Sequence, residues 1–303
     1  MRVSCLLFLV ASLAFVTCEA SAAPRQTALR SSAPEPRIVD STLLQRLTLT
    51  DGSVVIGRII SMDSTNIVFD MRDGSMTIRR DAIKAYEELS PERIKYGEFW
   101  FTNPNRTRLF FAPTARMLPM NKGYFADYYL FFAVAGWGVT DNFSLGGGMT
   151  LLPGVSIGQQ IKYVIPKVGF KLDSNVFLAV GALIASIPDD FDEGSDRASA
   201  GFLYSMTTLG TDDNSFTAGV GYGFLDGDWA ENPAFVIGGE ARMSRRTSFV
   251  SENWIIGGET ESILSGGIRF FGESIAVDLA FWYPTTADDL KFPIPYVDFV
   301  YNF

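Results

Sequence analysis

Residues 106–303 run in segments of about 9–14 residues in which large apolar side chains alternate with small or polar ones, and this alternation limits the fold more than any other feature. Between 274 and 284, Ile275, Val277, Leu279, Phe281 and Tyr283 share one face while Ser274, Ala276, Asp278 and Ala280 share the other. Between 215 and 225, Phe216, Ala218, Val220, Tyr222 and Phe224 oppose Thr217, Gly219, Gly221 and Gly223. The chain ends the same way, with Pro295, Val297, Phe299, Tyr301 and Phe303 alternating with Tyr296, Asp298, Val300 and Asn302. Side chains on a strand point alternately to its two faces, so each segment reads as a strand with one apolar face.

Twelve such segments are predicted, at 107–117, 124–138, 143–152, 159–172, 176–187, 198–209, 215–225, 233–244, 248–257, 261–271, 274–284 and 293–303. They exceed the roughly 5–6 residues of an ordinary globular strand and suit a tilted strand crossing a bilayer, which takes about 9–11. A soluble sandwich also alternates, but it would not leave so much Gly and Ala on its solvent face. Tight polar turns fall at 140–142, 173–175, 211–214, 245–247 and 272–274. The connections 118–123, 153–158, 188–197, 226–232 and 285–292 are longer or carry proline, and 258–260 is short. Short turns at one end and longer loops at the other, with an even strand count, predict a 12-stranded antiparallel transmembrane β-barrel over 106–303.

Residues 1–23 read as a secretory leader: Arg2 is the positive start, Cys5–Val16 the apolar run and Ala20-Ser21-Ala22 an A-x-A-like cleavage site. Cleavage there removes Cys5 and Cys18, both of the chain's cysteines, so the mature protein is expected to carry no disulfide. After residue 23 no uncharged apolar stretch reaches 18 residues, which excludes an α-helical membrane protein.

Between leader and barrel, 24–37 has the Pro and Ser content of a linker, 38–89 is a first domain, and 90–105 is a connector. Five short apolar runs in 38–89 are cut by Asp51-Gly52, Asp63-Ser64 and Asp73-Gly74, and the Asp-Gly pairs provide the left-handed positions of tight hairpins. Leu49-Thr50-Asp51-Gly52-Ser53 with Gly57, then a second hairpin at Asp73-Gly74 and a last apolar strand, resembles the small barrels of the Sm-like and SH3-like families. That resemblance implies a protein-contact or structural module. Residues 24–105 hold 11 basic and 11 acidic residues, whereas 106–303 hold 13 and 22, so the net charge of −9 belongs to the second part. Without a basic face to displace phosphate counterions, a nucleic-acid partner is excluded.

The final strand, with aromatic residues at Phe299, Tyr301 and Phe303, resembles the carboxyl-terminal signal by which outer-membrane barrels are recognised for assembly. The passage Gly123-Tyr124-Phe125 to Gly148, with Asn103-Pro104-Asn105 and Phe110-Phe111-Ala112-Pro113 upstream, is similar to bacterial outer-membrane barrel proteins of unassigned activity. Both likenesses imply the bacterial outer membrane, with the small domain in the periplasm. The partners they imply are lipid, lipopolysaccharide, the barrel-assembly machinery and a periplasmic protein bound by the small domain.

The chain has no histidine, so Ser-His-Asp, Cys-His and HExxH chemistry are impossible and no catalytic residue or cofactor is expected. Alternation places Lys167, Lys171, Glu240, Arg242, Arg269, Asp278 and Asp298 on the inner face. Two readings stand: they line a narrow passage for small solutes, or they pair across the lumen and fill it. The loop 189–196 carries five acids, of which Asp190, Asp192 and Asp196 are the candidates for calcium, although the EF-hand spacing is absent and a solvated acidic loop competes. The expected function is a non-enzymatic narrow channel, or else an anchoring protein whose small domain binds a partner.

Overall fold

The computed structural model describes residues 35–40, 43–89, 93–96, 98–188, 196–257, 262–285 and 292–303. The leader with its cysteines, most of the linker, Asp190 and Asp192 lie outside these residues. The chain divides into two compact units that part between Phe99 and Trp100.

In the first unit each predicted run forms a strand: β1 (Leu44–Leu49), β2 (Val54–Met62), β3 (Asn66–Met71), β4 (Gly74–Arg79) and β5 (Ile83–Leu89). They make one antiparallel sheet in the order β4-β3-β2-β1-β5. Gly52 and Gly74 take positive φ, at 85° and 132°, in the two Asp-Gly turns. Asp63 caps the turn between β2 and β3, its carboxylate accepting the backbone N–H of Thr65 and of Asn66 at 2.7 Å each. A register shift between Ile59 and Ser61 bends β2, and Leu47, Ile59, Ile67, Phe69, Ile78 and Tyr86 pack into one core. Gln45 is buried among them with its amide satisfied: Nε2 donates to the Arg37 carbonyl and Tyr86 Oη, and Oε1 accepts from Ile59 N–H. A short hairpin, β6 (Ile94–Lys95) and β7 (Glu98–Phe99), ends the unit.

The second unit is a closed barrel. Its wall comprises β8 (Gly123–Tyr128), β9 (Phe132–Gly138), β10 (Phe143–Thr150), β11 (Lys162–Asp173), β12 (Val176–Pro188) and β13 (Arg197–Gly210), followed by β14 (Asn214–Leu225). After a two-residue strand, β15 (Asp228–Trp229), come β16 (Ala234–Arg242), β17 (Thr247–Ile256), β18 (Ser262–Phe271), β19 (Ile275–Pro284) and β20 (Ile294–Asn302). Neighbours pair antiparallel, β13 pairs with β14, and β20 pairs with β8 to close the ring of twelve. The seam is completed where Gly123 and Phe303 exchange both backbone hydrogen bonds, at 3.0 and 2.9 Å.

The count of twelve stands, but two of its members differ from the sequence expectation. Residues 124–138 are two strands, β8 and β9, joined by a turn at which Tyr129 and Leu130 take φ of 56° and 64°. No Gly or Asn marks this left-handed turn, so the run reads as one strand in sequence. The segment 107–117, expected as the first strand, is outside the wall altogether and lies within the barrel. Consequently 118–123 does not connect two strands; it leads from the lumen to β8. Tight connections after β9, β11, β13, β16 and β18 share one end with Gly123 and Phe303, and the other end carries the longer ones together with the tight β8–β9 turn.

Candidate functional site: a hairpin clamped inside the barrel

Trp100 to Leu118 enters the barrel at its short-turn end, folds back on itself and leaves by the same end. At the entry, Phe101 packs on Phe271 with ring centroids 6.0 Å apart, and the Arg242 guanidinium lies 5.0 Å from the Trp100 ring. At the exit, the Arg116 guanidinium donates to the carbonyls of Gly210 and Thr211 in the β13–β14 turn and pairs with Asp212 at 3.0 Å. In between, Arg108 and Pro113 form a β-bridge, Thr114 N–H bonds the Thr107 carbonyl, and Leu109 N–H bonds the Ala112 carbonyl. The tip is therefore Leu109–Ala112, a tight hairpin whose Leu109, Phe110 and Ala112 are buried in the barrel core.

A hairpin with no neighbouring strand exposes backbone donors and acceptors that must find other partners. Wall side chains supply them, Glu252 and Lys167 each meeting three. Glu252, on β17, directs one carboxylate oxygen at the tip, where it accepts the backbone N–H of Phe110, Phe111 and Ala112 at 2.8–2.9 Å. Its other oxygen accepts from the Trp254 indole at 2.7 Å. On β11, the Lys167 ammonium donates to the carbonyls of Arg116 at 2.8 Å, Thr114 at 3.2 Å and Thr107 at 3.5 Å. One anion thus holds hairpin N–H groups and one cation holds hairpin carbonyls.

The row of charge beside the tip comes from consecutive strands. Arg269 of β18 and Asp278 of β19 are register partners, as are Asp278 and Asp298 of β20. All three are fully buried. Arg269 grips Asp278 with both Nε and Nη2 at 2.7 Å, reaches Glu240 of β16 at 3.2 Å, and donates to the hairpin carbonyls of Asn105 and Leu109. Arg108 of the hairpin answers Asp298 at 2.8 Å and stacks 4.6 Å from the Tyr128 ring centroid. Tyr296 Oη donates to the same Asp298 oxygen. Asn103 donates to Glu240 at 2.6 Å. Arg242 meets Asp213 at 2.9 Å and donates to the Phe101 carbonyl at the barrel's end.

Of the seven charged residues singled out in the sequence, Lys167, Glu240, Arg242, Arg269, Asp278 and Asp298 point inward and touch the hairpin or its ion pairs. Lys171 is exposed, with its ammonium 5.8 Å from the Phe177 ring centroid. Asp196 is exposed, and among the described residues no group of three or more acids is assembled into a metal site. Glu252, Arg108, Arg116, Asn103 and Asn105 are absent from the sequence-based set. Glu252 could have been found from the alternation of β17, which sets it in line with Ser248 and Val250 on the inner face. The hairpin residues could not, because 107–117 mimics a strand.

The glycine-rich inner faces are occupied by neighbouring side chains. The small faces of β12 and β14 receive larger neighbours: a Cβ at Gly181 would collide with the Tyr204 hydroxyl, and one at Gly219 with the Met206 sulfur. Between the hairpin and the wall, chiefly β8 to β13, lies a cavity of about 420 Å³ with an almost wholly apolar lining.

No family model matches the chain and no curated protein matches it. Among solved structures it is similar to the KdgM porin in complex with disordered oligogalacturonate, at 11% identity and TM-score 0.45 over 60% of this chain and 98% of that one. The NanC porin aligns at 10% identity and TM-score 0.35 over 60% and 97%, and outer-membrane expressed OmpT of Vibrio cholerae at 10% and 0.34 over 88% and 100%. Superpositions at this level decide neither fold nor activity for this chain. Its own hydrogen-bonded ladder defines it as a closed, 12-stranded, antiparallel β-barrel that holds an internal hairpin.

Proposed function

We propose that this chain is an outer-membrane β-barrel that passes small solutes, non-enzymatically, through a lumen closed by its own internal hairpin. The reading of membrane residence is supported by inverted polarity: Phe170, Leu178, Leu203, Phe216, Leu279 and Phe299 are exposed on the outer face, while Arg269, Asp278, Asp298 and Glu252 are buried within. A soluble protein of this size places such groups the other way round.

The observation that carries the channel reading is the clamp. The hairpin is held by side-chain contacts to its backbone and is no part of the wall ladder, so it can leave without breaking a strand pair. Planar-bilayer recording tests this. The wild-type barrel is expected to be mostly closed, and Glu252→Ala, which frees three N–H groups at the tip, is expected to give stepwise current. Silence from both proteins, folded, removes the channel.

The filled lumen also favours a second reading, a structural protein anchored by the barrel, in which the small unit is an SH3- or Sm-type contact module facing a periplasmic partner. Deleting 38–89 and finding unchanged periplasmic pull-down partners removes it.

A further inference from the structure

The cavity of about 420 Å³ runs from the hairpin tip toward the barrel end that carries the longer loops. Phe111 and Ala112 of the tip border it on one side; Phe132, Ile161 and Ile187, at or beside the ends of β9, β11 and β12, border it on the other. Those three are half-buried whereas Ala112 is wholly buried, so the space deepens toward the hairpin. Between the two ends Val134, Ile165, Leu183, Phe202 and Met206 form its wall. Phe111 is the unusual member. It belongs to a hairpin enclosed by the barrel, yet it is 44% exposed, touching Tyr128 edge-on at 5.9 Å and bordering the open space.

The charge on the border is committed elsewhere. Of the two charged residues that line the cavity, Arg108 is held by Asp298 and the Phe110 carbonyl, and Lys167 by three hairpin carbonyls. The Tyr163 hydroxyl donates to the Ala133 carbonyl at 2.9 Å, and the Tyr204 hydroxyl is wholly buried behind the lining. A guest that carried a charge or a strong donor would leave it unpaired in this space, at high cost. Apolar cavities instead stay dry and take apolar guests, a space of about 150 Å³ lined by aliphatic and aromatic side chains being enough for benzene. One of about 420 Å³ has room for two fused rings or a chain of about ten carbons. We infer that the cavity binds one uncharged, apolar small molecule, an aromatic or aliphatic hydrocarbon by chemical class, seated on Phe111 and entering from the longer-loop end. Binding requires only the closed barrel with its hairpin in place, so it stands or falls separately from the passage of solutes.

The test uses the full chain in lipid nanodiscs, with 1-fluoronaphthalene followed by ¹⁹F resonance and empty nanodiscs as the blank. A bound resonance that saturates at one probe per barrel is expected. Naphthalene should displace it, and 1-naphthoate at the same free concentration should be at least about tenfold less effective, because its carboxylate finds no partner. Leu183→Trp, which fills the middle of the space, should abolish the bound resonance. Phe111→Ala keeps the backbone bonds to Glu252 and removes only the ring, and should weaken binding about three- to tenfold. Both variants are checked for folding by heat-modifiable gel mobility, and Phe111→Ala decides alone where Leu183→Trp does not fold. A signal no different from the blank, equal displacement by naphthalene and naphthoate, or a bound resonance that Phe111→Ala leaves unchanged overturns the site.

Discussion

Arg269 has no exposed surface and touches two carboxylates and three hairpin carbonyls, those of Asn105, Arg108 and Leu109. Removing one member of such a buried set leaves the others charged and unpaired, a cost of about 3–5 kcal/mol. Arg269→Met is therefore expected to lower the barrel's urea midpoint clearly, whereas replacing Arg269 and Asp278 together by apolar residues should cost less. Equal loss in single and double variants, read by heat-modifiable mobility against urea, would contradict the pairing. In the small unit the informative groups are two exposed carboxylates, Asp51 and Asp63, and the half-buried Glu88. Backbone hydrogen bonds from Thr65 and Asn66 hold Asp63 below the usual carboxylate range, the Ser53 hydroxyl does so for Asp51, and Arg37 for Glu88. Each folded value lies below the unfolded one, so the folded state binds fewer protons. Their stabilisation is complete above the unfolded value of about 4 and is lost as pH falls through the folded values. Urea titrations followed by the Ile67 and Ile78 methyl resonances in the full chain should show a midpoint flat above about pH 5 and falling below about pH 4. Asp63→Asn should reduce that fall.

Among the elements, the β8–β9 connection stands apart. Tyr129 and Leu130 both occupy the left-handed region, which favours Gly, Asn or Asp in two-residue hairpins. Tyr129 is retained by its packing, edge-on against Tyr296 with centroids 5.0 Å apart, whereas Leu130 is exposed. Leu130→Gly should stabilise the barrel by about 1 kcal/mol, seen as a higher urea midpoint. A lower midpoint would mean that the Leu130 side chain makes a contact worth more than the strain. The internal hairpin shows the same dominance of tertiary context. Its Leu109-Phe110-Phe111-Ala112 run has the composition of a strand, but its tip bonds to a glutamate and not to a strand edge.

For the molecule as a whole, the seam decides whether there is a barrel. Phe303 closes it twice over, by two backbone hydrogen bonds to Gly123 and by its ring, which stacks on Phe125 at 5.2 Å and meets Trp137 at 5.8 Å. Deleting Phe303 removes both, so the fraction reaching the heat-modifiable form in cells should fall well below wild type. Wild-type assembly of that variant would separate the terminal aromatic residue from assembly altogether. Phe303→Leu keeps the backbone bonds and should fall between the two.

Period-two alternation in residues 106–303 was sufficient to establish an all-β chain, the inner face of β16 and of β18 to β20, and the end at which tight turns gather, because strand geometry fixes facing residue by residue. The Asp-Gly turns did the same for the small sheet, since few residues other than glycine tolerate those backbone angles. Alternation could not say which apolar run was a wall strand. It assigned 107–117 to the wall and merged β8 with β9, two errors that cancelled in the count of twelve. Only the closed barrel settles the matter. Once the ring is complete, 107–117 has no free edge to join, and its backbone bonds to wall side chains, Glu252 and Lys167 among them, from opposite parts of the wall. Those contacts join residues 51 to 142 positions apart, a distance at which local pattern carries no information about pairing.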